Sequence, residues 1–447
     1  MAKTFDLILR NGTVVNHDGE GKRDIGVNKG VIAEIGDLSA ASAAETIDCA
    51  GLHVLPGVID TQVHFREPGP THKEDLETGS RAAVLGGVTA VFEMPNTTPL
   101  TVTAEAIEDK LMRAAGKRNH GGMHCDHAFY AGATHGNPKD LAELEMLPGI
   151  AGVKIFMGAS TGDLLVEDDE GVREVLAHGR RRVAIHSEDE YLLREGKALI
   201  REGDWTSHPE VRSVEAARRC TERLIRLAYE TGRRIHVLHI STAEEIPMLA
   251  AAKDIATAEI LPNHLTLAAP DCYERLKGYA QQNPPVREAR HRDALWRAVQ
   301  NGVFDVLATD HAPHTREEKE KPYPASPSGM PGVQTLVPLM LNHVAEGRLT
   351  LQRFVDLVCH GPQRTFGIAC KGRIAEGYDA DFTVVDLKRR ETITNAAQAT
   401  KSGWTPYDGK EVQGWPVMTI IRGQTIMRES EILGPAAGKP VRFQETC

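Results

Sequence analysis

The sequence predicts an α/β fold: a TIM-like (β/α)8 barrel with a small β-sandwich module built from both chain ends. Three observations carry that expectation. The chain of 447 residues has room for a barrel of roughly 300 residues and a smaller unit beside it. From about Leu55 to Lys371, apolar strand-like runs alternate with Ala/Glu/Arg-rich stretches, the rhythm of βα units on a parallel sheet. On either side of that span the text turns to short strands punctuated by turn residues.

In chain order, Phe5 to Val54 reads as alternating strands broken at Asn11-Gly12, Asp18-Gly19 and Lys29-Gly30. Eight strand-like runs follow: VLPGVIDTQVHF, VTAVFEMP, HAFYAGAT, GVKIFMG, RVAIHSED, IHVLHIST, ATAEILP and DVLATDHAPH. Eight is the number that closes such a barrel. Helices are expected between them, among them Ala104 to Ala115, Ser213 to Thr231 and Arg290 to Gln300. After Lys371 the strands GRIAEGYDADFTVVDL and VMTIIRGQTIMRES return to the turn-rich style. The expected division is therefore a composite module of 1–54 and 371–447 around a barrel of 55–370. The charged stretch Arg316 to Lys321 reads as a solvated loop, and 315–332 as a candidate lid.

Composition narrows the function classes. A formal charge of −10 argues against nucleic acid and anionic lipid as partners, since both reward a basic face. No run approaches ~20 uninterrupted apolar residues and the first residues carry no leader pattern, so no membrane span and a cytoplasmic location are expected. The seven cysteines are scattered without a CxxC pair, which points to reduced, mostly buried thiols. Histidine is different: there are 19, several at the ends of apolar runs.

The C-terminal ends of barrel strands line the active site in such folds. Here those ends carry Gln62 and His64, Lys154, His186, His239, and Asp310 through His314. Alternation along a strand sends Gln62 and His64 to the same side. One histidine at a strand end is more often structural than a ligand; several in consistent register suit a divalent metal. Imidazole and carboxylate donors from His64, His186, His239 and Asp310 match zinc or a similar ion with a position left open for water. Lys154 is odd in that company, because an ammonium repels cations. Unmodified, it reads better as a buried salt-bridge partner.

Taken together, His64-Phe65-Arg66-Glu67-Pro68-Gly69, Glu93-Met94-Pro95-Asn96-Thr97, Lys154-Ile155-Phe156, His186-Ser187-Glu188-Asp189, His239-Ile240-Ser241-Thr242, Asn283-Pro284-Pro285 and Asp310-His311-Ala312-Pro313-His314 resemble the amidohydrolase superfamily, and within it dihydroorotases of the long bacterial type. The resemblance spans most of the chain. It implies a cytoplasmic enzyme of pyrimidine biosynthesis that interconverts dihydroorotate and N-carbamoyl-aspartate. It also implies a binuclear zinc centre bridged by a carboxylated Lys154, with His64 and Asp310 on one metal and His186 and His239 on the other. Asp310 would be the general acid/base. Arg66, Asn96 and His314 would hold the substrate carboxylate; Asn283 and the backbone around Gly332 and Val333 would meet the ring amides.

Gln62 departs from the family pattern, which has histidine there. An amide oxygen is a weaker zinc donor than imidazole, so Gln62 is kept as a candidate ligand of a metal that binds loosely or is missing, leaving one zinc instead of two. Asn263 is a second departure and is assigned no role. The nearest rivals are an allantoinase or hydantoinase, from which Arg66 discriminates, since their substrates bring no carboxylate to it. A third reading is a non-catalytic partner of aspartate transcarbamoylase. A homodimer and an aspartate transcarbamoylase complex are the partner expectations beside the small anionic substrate.

Overall fold

A computed structural model describes residues 3–118, 121–158 and 162–446. Eight parallel strands form the barrel: β1 Val58–Val63, β2 Val88–Glu93, β3 Asp126–Gly132, β4 Ile150–Phe156, β5 Val183–His186, β6 Ile235–Val237, β7 Ala256–Ile260 and β8 Val306–Leu307. Six lie inside the expected runs, and Asp126–Gly132 and Ile150–Phe156 begin one and two residues before theirs. They pair in sequence order, and the ring closes where Val63 bridges His311 and the His64 amide donates to the His311 carbonyl at 2.7 Å. These strands are apolar on both faces because both are covered. Val91, Val153, Ile185 and Val237 pack outward against the helices, while Ile59, Phe92, Tyr130 and Leu238 fill the base of the barrel.

The helices follow local sequence signals. Val214–Thr231 begins at Ser213, whose side chain accepts from the Ala216 amide, and ends at Gly232 with φ 68°. Ala104–Ala114 and Ala289–Gln300 sit where the apolar spacing predicts them. Among the described residues no helix is long and apolar enough to cross a membrane.

The chain ends form two sheets. One orders Val31–Gly36, Asp24–Asn28, Thr4–Arg10 and Ser42–Asp48; the other, of seven strands, runs from Glu431–Ile432 to Gly19–Lys22. In the second sheet His53–Pro56, from before the barrel, pairs with Phe382–Ile393, from after it. Leu7, Ile25, Val54, Phe382 and Ile420 share the core between the sheets. Thr383 joins this module to the barrel, accepting from the Val58 amide at 3.1 Å and donating to the Gly87 carbonyl at 2.7 Å. The last residues return beneath the barrel, where Val441 and Phe443 complete the cluster at its base.

Candidate active site

Above the apolar base the barrel interior becomes polar. Asp60, Gln62, Lys154, His186, His239 and Glu259 are all buried. The backbones that present the mouth residues are constrained: Arg66, His239 and Asp310 have φ of 63°, 40° and 50°. Left-handed conformations cost side-chain-bearing residues free energy and persist where the surrounding structure over-determines them, as at functional sites.

Two histidine groups face the mouth. His64 sets Nδ1 against Asn96 Oδ1 at 2.8 Å and turns Nε2 toward Asp310 Oδ1 at 3.0 Å. Gln62 Nε2 donates to the same Asp310 oxygen at 3.0 Å, while Gln62 Oε1 is buried without a hydrogen-bond partner. On the other side His186 Nε2 is held by Glu188 Oε2 at 2.7 Å, and His186 Nδ1 lies 3.0 Å from His239 Nε2. Glu188 is itself gripped by Arg212 through two contacts, one of them Nε to Oε1 at 3.1 Å.

These contacts decide which ring nitrogens offer lone pairs. With Nδ1–H of His64 donated to Asn96, its Nε2 lone pair confronts a carboxylate oxygen. With Nε2–H of His186 donated to Glu188, its Nδ1 lone pair confronts His239 Nε2. The first contact, between two acceptors at 3.0 Å, is repulsive unless a cation or an extra proton lies between them; the second is a hydrogen bond only if His239 carries its hydrogen on Nε2, which leaves its buried Nδ1 without a partner. The donor set, imidazoles backed by outer hydrogen bonds plus a carboxylate, therefore fits divalent metal. Burial lowers the pKa values of His186 and His239, and the nearby Lys154 charge lowers both further; Lys154 also interacts with Asp310 and Glu259. Burial brings its own pKa down to about 7. Its Nζ lies 4.4 Å from the centroid of the Phe156 ring.

Comparison with known proteins agrees with this architecture. The amidohydrolase family model matches residues 53–426. The chain belongs to the amidohydrolase family. It is 35% identical over 444 residues to a dihydroorotase of Methanosarcina acetivorans, covering 96% of this chain and 93% of that one. A dihydroorotase of Pyrococcus furiosus is 37% identical over 421 residues, covering 93% and 92%. Among solved structures, L-hydantoinase (dihydropyrimidinase) from Arthrobacter aurescens superposes with a TM-score of 0.92 at 30% identity, covering 98% of this chain and 99% of that chain.

In this amidohydrolase Arg66 and His314 lie against each other. Arg66 donates from Nε to the Pro313 carbonyl at 3.2 Å, and its Nη2 lies 3.3 Å from His314 Nε2. Asn283 Oδ1 accepts from His208 Nε2 at 3.1 Å. The amides of Gly332 and Val333 differ from the expectation, because both donate to His311 Nδ1, at 3.0 and 3.3 Å. Asn263 joins Gln282 and Tyr407 in a buried hydrogen-bonded group.

The charged stretch Arg316 to Lys321 differs from the expected solvated loop. It holds a short helix, Arg316–Lys319, and Lys319 is buried, donating to the carbonyls of Gln281, Pro327 and Gly329 at 3.1, 2.7 and 2.9 Å. Reading the sequence also missed the residues behind the site: Glu188, Glu259, Lys73, and the buried arm around Thr400 and Trp404. Only Glu188 carried a local signal, two residues beyond His186. Away from the mouth, His135, Glu167 and Asp168 bring ligand atoms within 4.8 Å of one another, but as a solvated rim cluster.

Proposed function

We propose that this amidohydrolase is a zinc-dependent dihydroorotase, which reversibly hydrolyses the ring amide of (S)-dihydroorotate to N-carbamoyl-L-aspartate. The observation that carries the reading is a half-buried guanidinium, Arg66, beside a mouth built of converging imidazoles and a carboxylate. A hydantoin or allantoin ring brings no carboxylate to Arg66, whereas dihydroorotate does. His64, Asp310, His186, His239 and a carboxylated Lys154 would hold the metals, with Gln62 a further, weaker donor. When bound, the metals acidify water and polarise the ring carbonyl.

The protein's own residues do the rest. Arg66 and Asn96, with His314 alongside Arg66, orient the substrate by its carboxylate, and Asn283 meets the ring amide. As the water oxygen adds to the ring carbonyl carbon, Asp310 takes its proton; as the carbon–nitrogen bond breaks, Asp310 passes that proton to the ring nitrogen. Gln62 Nε2 keeps the receiving carboxylate in place. The division into a module of 1–54 and 371–447 and a catalytic barrel of 55–370 belongs to the same proposal. It is supported by the sheet that pairs His53–Pro56 with Phe382–Ile393.

The test is the rate of dihydroorotate ring opening by zinc-replenished protein beside a chelator-treated control. Chelator-sensitive turnover is expected. Turnover of allantoin or a hydantoin in its place would move the assignment along the family. No turnover of any ring amide with zinc bound would favour a non-catalytic partner of aspartate transcarbamoylase.

A further inference from the structure

His314 is bracketed by two partners of opposite kind. Lys73 Nζ lies 3.1 Å from its Nδ1, and the Ser328 carbonyl lies 3.0 Å from its Nε2. An ammonium can only donate and a carbonyl can only accept. Nδ1 is therefore the lone-pair nitrogen and Nε2 carries the hydrogen, and the two contacts hold that tautomer together. Trp404 Nε1 fixes the backbone beneath, donating to the His314 carbonyl at 2.8 Å. Burial, with Arg66, Lys319 and Lys73 nearby, holds the imidazole pKa far below its ordinary value, so the ring stays neutral.

The consequence falls on Arg66. Its Nη2 stands 3.3 Å from His314 Nε2. That nitrogen bears a hydrogen and cannot accept. Arg66 is thus anchored through Nε on Pro313, and Nη2 makes no hydrogen bond to His314, leaving it for an anion.

We infer that Lys73 is a positioning residue for the substrate carboxylate: by donating to His314 Nδ1 it fixes the tautomer that leaves Arg66 Nη2 available to that carboxylate. This rests on the dihydroorotase reading. Lys73 is itself steadied by Glu318 Oε1 at 3.0 Å, and Glu318 Oε2 lies 3.6 Å from His314 Nδ1. With Lys73 removed, the Glu318 carboxylate, freed from its ammonium, competes for the ring hydrogen at Nδ1 against the neutral Ser328 carbonyl at Nε2, and the charge-assisted hydrogen bond is the stronger of the two, so the hydrogen moves to Nδ1. Nε2 is then a lone pair, and Arg66 Nη2 turns from substrate to His314.

The experiment compares wild type with Lys73→Met, Lys73→Gln and Lys73→Arg. Lys73→Met should raise KM for dihydroorotate about tenfold, the loss expected from one weakened charge-assisted hydrogen bond, with kcat within about twofold. Lys73→Arg, also a pure donor, should recover most of the affinity. Long-range proton–nitrogen spectra of histidine-labelled protein, with His314 assigned by its loss in His314→Asn, should show the two ring nitrogens exchanging roles in Lys73→Met. Zinc content and thermal midpoint are read alongside. Should Lys73→Met not fold, Lys73→Gln, which also lacks the fixed positive donor, takes its place. An unchanged KM or an unchanged tautomer in the folded variant overturns the inference. A wild type with no dihydroorotate turnover defeats the parent reading instead, and the tautomer measurement, which needs no substrate, still decides the part played by Lys73.

Discussion

Gln62 and Asp310 share one hydrogen bond, Nε2 to Oδ1 at 3.0 Å, and it leaves the Gln62 carbonyl oxygen buried with no partner. The amide is thus positioned to do two things: to hold the carboxylate that moves protons, and to offer a weak oxygen donor near His64. The two roles separate by mutation. Gln62→Leu should keep the zinc content and lower kcat by about ten- to a hundredfold, because a buried hydrogen bond to a charged group is worth roughly 1.5–3 kcal/mol. Gln62→His should raise zinc affinity, measured by chelator competition. A Leu variant with full kcat would remove Asp310 orientation from the account.

Lys154 offers a test of the bridge. Carboxylation by carbon dioxide consumes a neutral amine, and burial lowers this pKa to about 7, so near neutrality much of the population is already reactive. Lys154→Ala should therefore lose most of its zinc while keeping its fold, seen by elemental analysis beside circular dichroism. Zinc content equal to wild type would show that Lys154 is a structural lysine.

Glu188 acts one shell out. Burial pushes its carboxyl pKa up, but Arg212 and His186 more than offset this and hold it well below the usual range. Glu188→Gln removes the charge that orders both partners and leaves the half-buried Arg212 without its ion pair. Zinc affinity should fall about ten- to a hundredfold, as for other outer-shell partners of metal-bound histidine. A chelator titration unchanged from wild type would mean that His186 keeps its orientation without Glu188.

The barrel was legible because its signal is local: each strand is a short apolar run with a polar end, and every run overlaps a strand. His64, His186, His239 and Asp310 stood out for the same reason. What stayed hidden depends on contacts distant in sequence. Thr400 and Trp404 lie between two sandwich strands, yet fold back to donate to Glu74 and to the His314 carbonyl. Lys319 sits in a charged stretch that reads as solvated, and only the fold supplies the three carbonyls that permit its burial. Lys73 could not be paired with His314 from spacing, because 241 positions separate them.

The buried histidines away from the mouth predict how stability depends on pH. His127 has no hydrogen-bond partner on either ring nitrogen, and burial lowers its pKa to about 4; burial and Arg182 lower that of His236 to about 3. Unfolded, each would titrate near 6.5. Above that value neither state binds the proton and the full stability is present. As pH falls below it, the unfolded chain takes up protons that the folded chain refuses, so stability drops by up to about 1.4 kcal/mol per pH unit for each histidine. The loss should run from about 6.5 down to about 4 for His127 and about 3 for His236. Urea midpoints measured between pH 7 and pH 5 should fall accordingly, and His127→Phe should flatten the slope by one histidine's share. An equal slope in that variant would mean that His127 is protonated in the folded protein.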